Sequence, residues 1–379
     1  MTQPISALRH HHDLLLETKS LLHVSTTGSG PSLLKSIWDS PGSSAYFVGC
    51  FVPYSRIQLH GFLGHPPDDS YISEAVAYDM AMASYIRASE HKAVEGAEGE
   101  PVGLGVTSAV ASSRLPRGEQ RAHIALITKN TVNHAEVQFE KDVGVEARQK
   151  QDAQIAETAL KLLRSVLEGW TPSCGKCQEK ALERFYRYPV FHTNGTRVAS
   201  ADTRVRGLYL PATLNPIHEG HRLMARLAED YLAPEAGRVK ASYLVSAISP
   251  HKGRLEVQDM LYKAGMLRAE RWRTEYESRM VEFTHDEPLF IDKARKRPES
   301  TFVIGADTMK RLLDPSWGPP IEEMLNEMKN LKIQFLVMGR LIDDKWTTCR
   351  DIEVPWSDQI LFRPLPGRID VSSTELRAV

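Results

Sequence analysis

The sequence predicts an α/β fold with two domains, and three observations lead to that prediction. With 379 residues, 42% of them hydrophobic and 25% charged, the chain can bury more than one core. Short apolar runs alternate with longer amphipathic segments, which is the pattern of α/β domains. The strand-like runs form two groups, separated by a stretch with a Cys-x-x-Cys pair and the hairpin-like segment YPVFHTNGTRVAS. We therefore expect domains at 1–170 and 204–379, joined by a linker and hairpin at 171–203.

Each half of the chain contains strands and helices of its own. In the first half we expect strands at SAYFVGCFVPYS and HIALIT, and helices at SEAVAYDMAMASYIRASE and DAQIAETALKLLRSVLEGW. Ser73 is placed to cap the first of these helices, and Gly169 is placed to end the second. In the second half the expected strands are GLYLPATL, ASYLVSAIS, STFVIGAD and KIQFLVMGR, separated by charged helical segments.

Charge and composition limit the classes of function. Lys plus Arg (47) nearly balances Asp plus Glu (48), so no global field attracts nucleic acid or an anionic membrane. The apolar runs fall short of the ~20 residues of a membrane-spanning helix, and the N-terminus lacks a signal-peptide core. With four cysteines in a chain of this size, a reducing compartment is the default. We expect a cytoplasmic protein with no nucleic-acid or membrane partner.

The stretch GLYLPATLNPIHEGHRLM, residues 207 to 224, reads as a strand that turns into a helix. Such a turn puts the unpaired N–H groups and the positive dipole end of the helix at the carboxyl edge of a parallel sheet, where phosphate binds. His218 and His221 are one turn apart, so both imidazoles can face one anion. Gly220 lets that anion approach the backbone. Alone, the histidine pair would also fit a metal site or a polar turn.

Two further segments favour the phosphate interpretation. The segment SPHKG directly follows the strand ASYLVSAI, which puts Lys252 at the same carboxyl edge as the histidines. Near the C-terminus, Ser372 and Glu375 form an S-x-x-E capping box that starts a helix, and its N–H groups make a second anion cradle. Arg377 adds a cation to this cradle.

Together these segments resemble the nucleotidylyltransferase superfamily, and within it the nicotinamide and nicotinate mononucleotide adenylyltransferases. The matching segments are TLNPIHEGH, SPHK, FVIGADTMKRLLDPSW and VSSTELR, in family order over residues 204–379. The resemblance implies a Rossmann-like parallel sheet with helices on both faces. It also implies that the mononucleotide phosphate attacks the α-phosphorus of ATP in line and that pyrophosphate leaves, with Mg²⁺ bridging phosphate oxygens.

The resemblance also implies a role for individual residues. His218, His221, Lys252 and Arg377 are the implied catalytic residues, the histidines contacting the α and β phosphates. Trp317 is the implied substrate residue, near the nicotinamide ring. The implied nucleotide-binding residues, with the ATP ribose at the glycine–aspartate pair, are Thr213, Asn215, Gly220, Gly305, Asp307, Ser372, Ser373 and Thr374.

The N-terminal half resembles a second family, the CinA-type C-terminal domain, whose members hydrolyse the amide of nicotinamide mononucleotide. The similarity runs over about residues 8–168 and includes SPGSSAYFVGCFVPYS, LHGFLG and YISEAVAYDMA. The nucleophile loop of that family reads VSTTGSG here and retains Ser25, but Leu59 stands at the position of the family lysine. A serine without a base or a cation has no activation mechanism. We expect a retained fold without amidohydrolase activity.

Departures from the family patterns leave other functions open. Pro211-Ala212 stands where the adenylyltransferases have Gly-Gly, and the sequence ends two residues after Arg377. A catalytically degenerate regulator or scaffold that binds pyridine nucleotides is the main alternative, and a cytidylyltransferase of the same superfamily is another. An α/β domain with a spare apolar edge could supply a dimer interface, so a homo-oligomer is expected.

Cys174 and Cys177 form a lone Cys-x-x-Cys pair in the expected linker. Zinc would need two more ligands, and no second pair of this kind follows in the sequence. We therefore predict a flexible linker here and no metal site.

Overall fold

The computed structural model describes most of the chain and divides it into two compact units. The first unit comprises Met1–Tyr188, Gly195–Arg197 and Glu256–Thr274, and the second comprises Pro189–Asn194, Val198–Leu255 and Glu275–Val379. Both units mix helices and strands, which confirms the α/β fold class. The described residues are 10–68, 70–171, 174–188, 190–192, 197–198, 207–214, 217–236, 239–249, 253–272, 279–316, 318–354 and 361–367.

Helices and strands follow one another along the whole chain. Up to residue 188 they are α1 (His11–Glu17), β1 (Ser20–Thr27), α2 (Pro31–Trp38), β2 (Phe47–Phe51), α3 (Arg56–Leu63), α4 (Glu74–Glu95), β3 (Glu100–Ala109), β4 (Gln120–Ile127), β5 (Val132–Phe139), α5 (Val145–Leu167) and α6 (Gly175–Arg187). The next elements are β6 (Val190–His192), β7 (Arg197–Val198), β8 (Leu208–Pro211), α7 (Glu219–Ala236), β9 (Ala241–Ser246), β10 (Ile248–Ser249), β11 (Gly253–Arg254), α8 (Val257–Ala269), β12 (Met280–Thr284) and α9 (Phe290–Lys296). The last are β13 (Thr301–Gly305), α10 (Ala306–Leu312), α11 (Ile321–Asn330), β14 (Gln334–Met338), β15 (Arg340–Ile342), β16 (Lys345–Thr347) and β17 (Phe362–Leu365).

The first unit is built on a five-stranded sheet in the order β2-β1-β3-β4-β5. Strand β1 is parallel to β2 and β3, whereas β3, β4 and β5 are antiparallel. Helix α4 lies against β3 because Gly103 and Gly105 have no side chains there. A Cβ atom on Gly103 would come within 2.3 Å of the Ala81 carbonyl oxygen, and one on Gly105 within 2.4 Å of the Ala81 nitrogen. These glycines allow the helix and the sheet to pack backbone to backbone.

Helices α6 and α8 belong to the first unit, which corrects the expected domain boundaries. Helix α6 occupies much of the expected linker at 171–203, and its Phe185 is fully buried. Helix α8 lies inside the expected second domain but packs against α4. At that contact a Cβ atom on Gly265 would lie 2.4 Å from Ser89 Cβ, and Arg268 donates to the Glu90 carboxylate. Amphipathic periodicity predicts a helix but does not identify the core that the helix packs on.

The second unit is built on an eight-stranded sheet in the order β17-β14-β13-β8-β9-β12-β6-β7. The strands from β17 to β12 are parallel, and β6 pairs with β12 in the antiparallel sense. The chain runs outward from β8 to β9 and β12, then returns to build the other side from β13. Its core strands and helices contribute Phe302, Ile304, Phe335, Val337, Phe362, Met309, Leu325 and Met328.

Several predicted elements are confirmed at their predicted ends. The Ser73 hydroxyl caps α4 by accepting from the Val76 N–H, and α5 ends just before Gly169, which has a left-handed backbone with φ of +74°. The predicted strands correspond to β2, β4, β8, β9, β13 and β14. Four of the six parallel strands of the second unit were therefore predicted, whereas β12 and β17 were not.

Helix α6 is held on α4 by a buried ion pair. Arg184 donates to both carboxylate oxygens of Asp79, at 3.3 Å from Nε and 2.5 Å from Nη2, and the Asp79 side chain is fully buried. Asp79→Ala removes one of the carboxylates that bind Arg184, while Asp68 still binds it, so we expect the variant to lower the free energy of unfolding by about 1.5–3 kcal/mol. Asp39→Ala, which breaks the exposed Lys35–Asp39 pair, should cost less than about 1 kcal/mol. Urea unfolding of the full chain measures both, and equal losses would contradict the prediction.

Candidate functional site

Two histidine rings lie side by side at the start of α7. Strand β8 ends at Pro211, and α7 begins at Glu219, between the two histidines. The ring centroids of His218 and His221 are 3.9 Å apart, with an angle of 38° between the ring planes, and both residues are half-buried. The sequence spacing predicted that the rings share one face of the first turn, and the structure confirms it.

Backbone N–H groups fix the tautomer of both rings. The Gly220 N–H donates to His218 Nδ1 at 3.1 Å, and the His218 N–H donates to His221 Nδ1 at 3.4 Å. A ring nitrogen that accepts a hydrogen bond carries no proton, so each neutral ring carries its proton on Nε2. The first turn of α7 thus contains two oriented Nε2–H donors.

The surroundings of the rings favour the neutral form of both histidines. Burial first, and then the nearby His218 and Arg340, lower the pKa of His221 to about 3. Burial, followed by Arg340 and Arg222, also lowers the pKa of His218. The two half-buried rings are neutral, and the arginines near them are positively charged. An anion bound beside the rings would be attracted by that positive charge. The pair can therefore donate hydrogen bonds to an anionic ligand near neutral pH.

Arg340 was not predicted from the sequence, although its charge acts on both histidines and its side chain lies near Asp307. It begins β15 directly after β14, and β15 and β16 form a hairpin whose turn residues Asp343 and Asp344 have positive φ values of 50° and 59°, as a type I′ turn requires. Arg340 Nε lies 3.7 Å from Asp307 Oδ1. Its position in the sequence could have identified it, because Arg340 follows the end of a predicted parallel strand and therefore lies at the same sheet edge as the histidines.

Gly305 and Asp307 lie at the neighbouring strand end, where β13 passes into α10. A Cβ atom on Gly305 would come within 2.5 Å of Asp307 Oδ1 and 3.3 Å of Arg340 Cγ. Asp307 Oδ2 also accepts from Arg311 Nη2 at 2.8 Å. Because β8 and β13 are adjacent where the strand order reverses, their carboxyl ends border the crevice in which open α/β sheets bind ligands.

The loop after β8 contains an unusual backbone conformation. Leu214 has a φ of +44°, and its side chain is buried with 2% exposure. Left-handed backbone costs a residue with a Cβ about 1–2 kcal/mol, so the buried side chain holds the loop in this form. Thr213, the preceding predicted ligand-binding residue, is exposed. The loop presents a polar side chain while Leu214 anchors it to the core.

Pro211 is accommodated at the end of β8 without loss of a sheet hydrogen bond to β13. Pairing with β13 covers only Leu208 and Tyr209, whereas Pro211 pairs with Leu244 of β9. The next residue, Ala212, restores the ladder by donating to the Leu244 carbonyl at 3.0 Å. Pro211 lies beyond the segment in which β8 pairs with β13, so the N–H group that proline lacks is not needed for a hydrogen bond to β13.

Part of the predicted site lies outside the described residues. These predicted residues are Asn215, Lys252, Trp317, Ser372, Ser373, Thr374 and Arg377. The described part of the predicted site is therefore the histidine turn with Gly220, the exposed Thr213, and the Gly305–Asp307 turn. Within the part of the chain that the structure describes, no three His, Cys, Asp or Glu side chains group together as a metal site.

Ser25, the serine of the first-unit loop, is enclosed in the core. It is fully buried in β1, where its Oγ donates to the Met80 carbonyl at 3.1 Å and accepts from Ser84 Oγ at 2.9 Å. Leu59 is also buried and packs in a cluster with Met80 and Phe62. A hydroxyl bonded in this way inside the core has neither a base to activate it nor access to a substrate.

The helix that follows this loop has its first N–H groups occupied. The Asp152 carboxylate accepts from the Gly30 N–H at 2.6 Å, from the Ser32 N–H at 2.9 Å and from the Ser29 hydroxyl. These hydrogen bonds lower the pKa of Asp152 against the effect of burial, which raises it. The beginning of α2 therefore has a built-in anion and does not offer these groups to a ligand.

A pocket of about 370 Å³ opens beside α2 in the first unit. Its wall includes the apolar side chains of Leu34, Trp38 and Val52 together with Lys35. The Lys35 ammonium is paired with Asp39, one helical turn away. The pocket therefore offers mainly apolar surface rather than a concentrated positive charge.

Comparisons with known proteins find similarity only among solved structures. No protein-family model matches the chain, and no curated protein matches it. A CinA superfamily protein from Klebsiella pneumoniae is 15% identical, with a TM-score of 0.33, over 42% of this chain and 94% of its own. The competence/damage inducible protein CihA from Agrobacterium tumefaciens is 18% identical, with a TM-score of 0.31, over 42% of this chain and 93% of its own. A CinA superfamily protein from Escherichia coli is 17% identical, with a TM-score of 0.30, over 45% of this chain and 92% of its own.

Among the described helices, none is long and apolar enough to cross a bilayer.

We predict that Arg340→Gln raises the pKa of both His218 and His221. The substitution removes a positive charge that disfavours the imidazolium form, whereas burial, the larger cause, persists. Titration of the histidine ring signals by NMR measures the pKa of each ring. Arg295→Gln is the matched control, because this guanidinium pairs with Glu327 on the surface. Unchanged pKa values in the Arg340 variant would rule out the electrostatic connection.

Proposed function

We propose that this protein transfers the adenylyl group of Mg-ATP to nicotinamide mononucleotide or nicotinate mononucleotide. The observation that carries the proposal is the pair of neutral rings, His218 and His221, each oriented by a backbone N–H so that Nε2–H is its donor. Two such donors at the start of a helix match the oxygens of adjacent phosphates. The products are the pyridine dinucleotide and pyrophosphate.

The strand order of the second unit supports a nucleotide as the ligand. Numbered from β8 along the chain, the parallel strands lie in the order 6-5-4-1-2-3, which is the order of doubly wound dinucleotide-binding sheets. In such sheets the ligand binds where the order reverses, here between the carboxyl ends of β8 and β13. The histidine turn follows β8, and Gly305 ends β13. This arrangement favours the Rossmann-like interpretation of the second unit.

The chemistry that we propose needs positioning and charge stabilisation rather than a covalent intermediate. A phosphate oxygen of the mononucleotide forms a bond to the α-phosphorus of ATP, and the bond from that phosphorus to the β-phosphate bridging oxygen breaks. His218 and His221 donate to oxygens whose negative charge grows in the transition state. Mg²⁺ enters with ATP and bridges its phosphate oxygens. Lys252 and Arg377, with the serines of VSSTE, are proposed to hold the pyrophosphate.

Arg340 has a proposed role in the same step. Its guanidinium is near both rings and lies 3.7 Å from Asp307, which is proposed to bind the ATP ribose. An arginine at this position can hold the Asp307 carboxylate in place and also attract the triphosphate. Gly305 keeps the space that these two side chains need, since a Cβ atom there would displace one of them.

The acceptor assay separates the proposed reaction from its alternatives. The full chain is incubated with Mg-ATP and, in turn, nicotinamide mononucleotide, nicotinate mononucleotide, phosphopantetheine or glycerol 3-phosphate, and with Mg-CTP and glycerol 3-phosphate. We expect dinucleotide from a pyridine mononucleotide only. Product from Mg-CTP would indicate a cytidylyltransferase. Binding of NAD by calorimetry without any product would indicate the degenerate regulator or scaffold, which the loss of a backbone donor at Pro211 favours.

We predict that His221→Ala lowers the rate of dinucleotide formation about 100-fold or more. The change removes one hydrogen-bond donor to the transition state, and the loss of such a donor has this magnitude. Single-turnover measurement of pyrophosphate release gives the rate. His285→Ala is the control, because His285 is a partly exposed histidine that pairs with Asp286 in the same unit. Turnover at the wild-type rate in the His221 variant would refute the assignment.

We also predict that the full chain releases no ammonia from nicotinamide mononucleotide. The reason is the burial of Ser25, whose hydroxyl is committed to Met80 and Ser84. Ammonia is measured with a coupled enzymatic assay, and Ser25→Ala is compared with the wild-type chain. Ammonia release by the wild-type chain that disappears in the Ser25 variant would show that the first unit is an active amidohydrolase.

A further inference from the structure

Two free cysteines lie at the beginning of α6, a helix that stands where the sequence predicted a flexible linker. Cys174 is the N-cap of this 13-residue helix, and its Sγ accepts from the Cys177 N–H at 3.4 Å. Cys174 is half-buried, whereas Cys177 lies one turn into the helix and is buried with 8% exposure. The two cysteines therefore share the first turn of α6, and the backbone N–H of one binds the sulfur of the other.

The two thiols have opposite chemical tendencies. Hydrogen bonds from the Cys177 thiol and from the first N–H groups of the helix lower the pKa of Cys174. Burial raises the pKa of Cys177. A thiolate stabilised at a helix N-terminus is a nucleophile, and a buried thiol beside it is suited to attack the resulting mixed disulfide. The pair has an outer attacking sulfur and an inner resolving sulfur.

Glu74 of α4 joins this helix to the first turns of α6. Its Oε1 accepts from the Tyr78 hydroxyl of α4 at 3.1 Å. The Lys180 ammonium, on α6, binds the other oxygen of Glu74 at 2.6 Å. These contacts fix the first turns of α6 against α4, so the sulfurs keep their positions relative to each other. No third and fourth metal ligand is grouped with them in the described residues.

We propose that Cys174 and Cys177 form a thiol–disulfide exchange site whose substrate is a low-molecular-weight disulfide. The Cys174 thiolate attacks one sulfur of the disulfide, forms a mixed disulfide and releases one thiolate of the small molecule. Cys177 then loses its proton to that thiolate and attacks the Cys174 sulfur, which releases the second thiolate. In the balance, two protein thiols become one disulfide, and one small disulfide becomes two thiols. Because Cys177 is buried and Cys174 is only half-buried, the small disulfide reacts first with Cys174.

The test uses the reduced full chain and oxidised glutathione as the probe. After reaction, free thiols are alkylated and the chain is digested with trypsin, which cuts after Lys176, between the two cysteines. The expected disulfide therefore joins two tryptic peptides, and mass spectrometry detects the pair directly. An absence of this linked pair after excess oxidised glutathione would overturn the proposal. So would a stoichiometric zinc ion held by the two thiols in the purified chain.

Single-cysteine variants separate the two steps. Cys177→Ser should accumulate a glutathione adduct on Cys174, because no resolving thiol remains. Cys174→Ser should leave a chain whose Cys177 reacts with oxidised glutathione about tenfold or more slowly than the intact pair does. A thiol with a higher pKa has a smaller thiolate fraction, and near neutral pH this fraction falls tenfold for each unit by which the pKa rises. Cys50→Ser is the matched control and should leave the linked peptides unchanged, because Cys50 lies on β2 away from this helix. A Cys177 variant without an adduct on Cys174 would contradict the proposed order of attack.

Discussion

The first N–H groups of a helix have no partner within the helix, and what accepts their hydrogen bonds decides the chemistry at three places in this chain. At α2 the acceptor is the Asp152 carboxylate, which brings its own negative charge. At α7 the acceptor of the Gly220 N–H is the neutral Nδ1 of His218, and the His218 N–H just before the helix binds His221 Nδ1. At α6 the acceptor is the Cys174 sulfur. A carboxylate brings a negative charge that repels anions, a neutral imidazole presents its Nε2–H donor instead of the bonded N–H, and a thiol gains reactivity.

This difference distinguishes the helix starts of the two units although both are α/β folds. Asp152 comes from α5, far along the chain, so only the tertiary fold shows that the loop before α2 is occupied. The histidines of α7 are local acceptors, three residues apart, and their tautomers follow from local backbone geometry. The same N–H groups that would bind a phosphate therefore orient the rings that are proposed to bind it. Arg340 adds the positive potential that two neutral rings lack.

Local features were predictable from the sequence, and features that depend on distant packing were not. Strands β8, β9, β13 and β14 of the second unit and the paired rings of His218 and His221 follow from periodicity and spacing, whereas the parallel strands β12 and β17 were missed. Strand β1 was missed because it is buried at every position, so it lacks the alternation of a half-buried strand and includes His23 and Ser25. The role of Asp152 was missed because a capping residue from another helix leaves no spacing signal. Arg340 was missed because its neighbours come together only through the strand order.

The chain segments that make up the first unit limit where the chain can be cut into separate domains. The buried carboxylates of Asp79 and Glu90 on α4 receive their cations from α6 and α8, in Arg184 and Arg268. A segment that ends at residue 170 would keep both carboxylates and lose both cations. Removing the cation of a buried ion pair costs several kcal/mol, which is a large share of the stability of a domain. The first unit therefore needs residues that come after the strand β9 of the second unit, and the two units are interleaved in sequence rather than joined end to end.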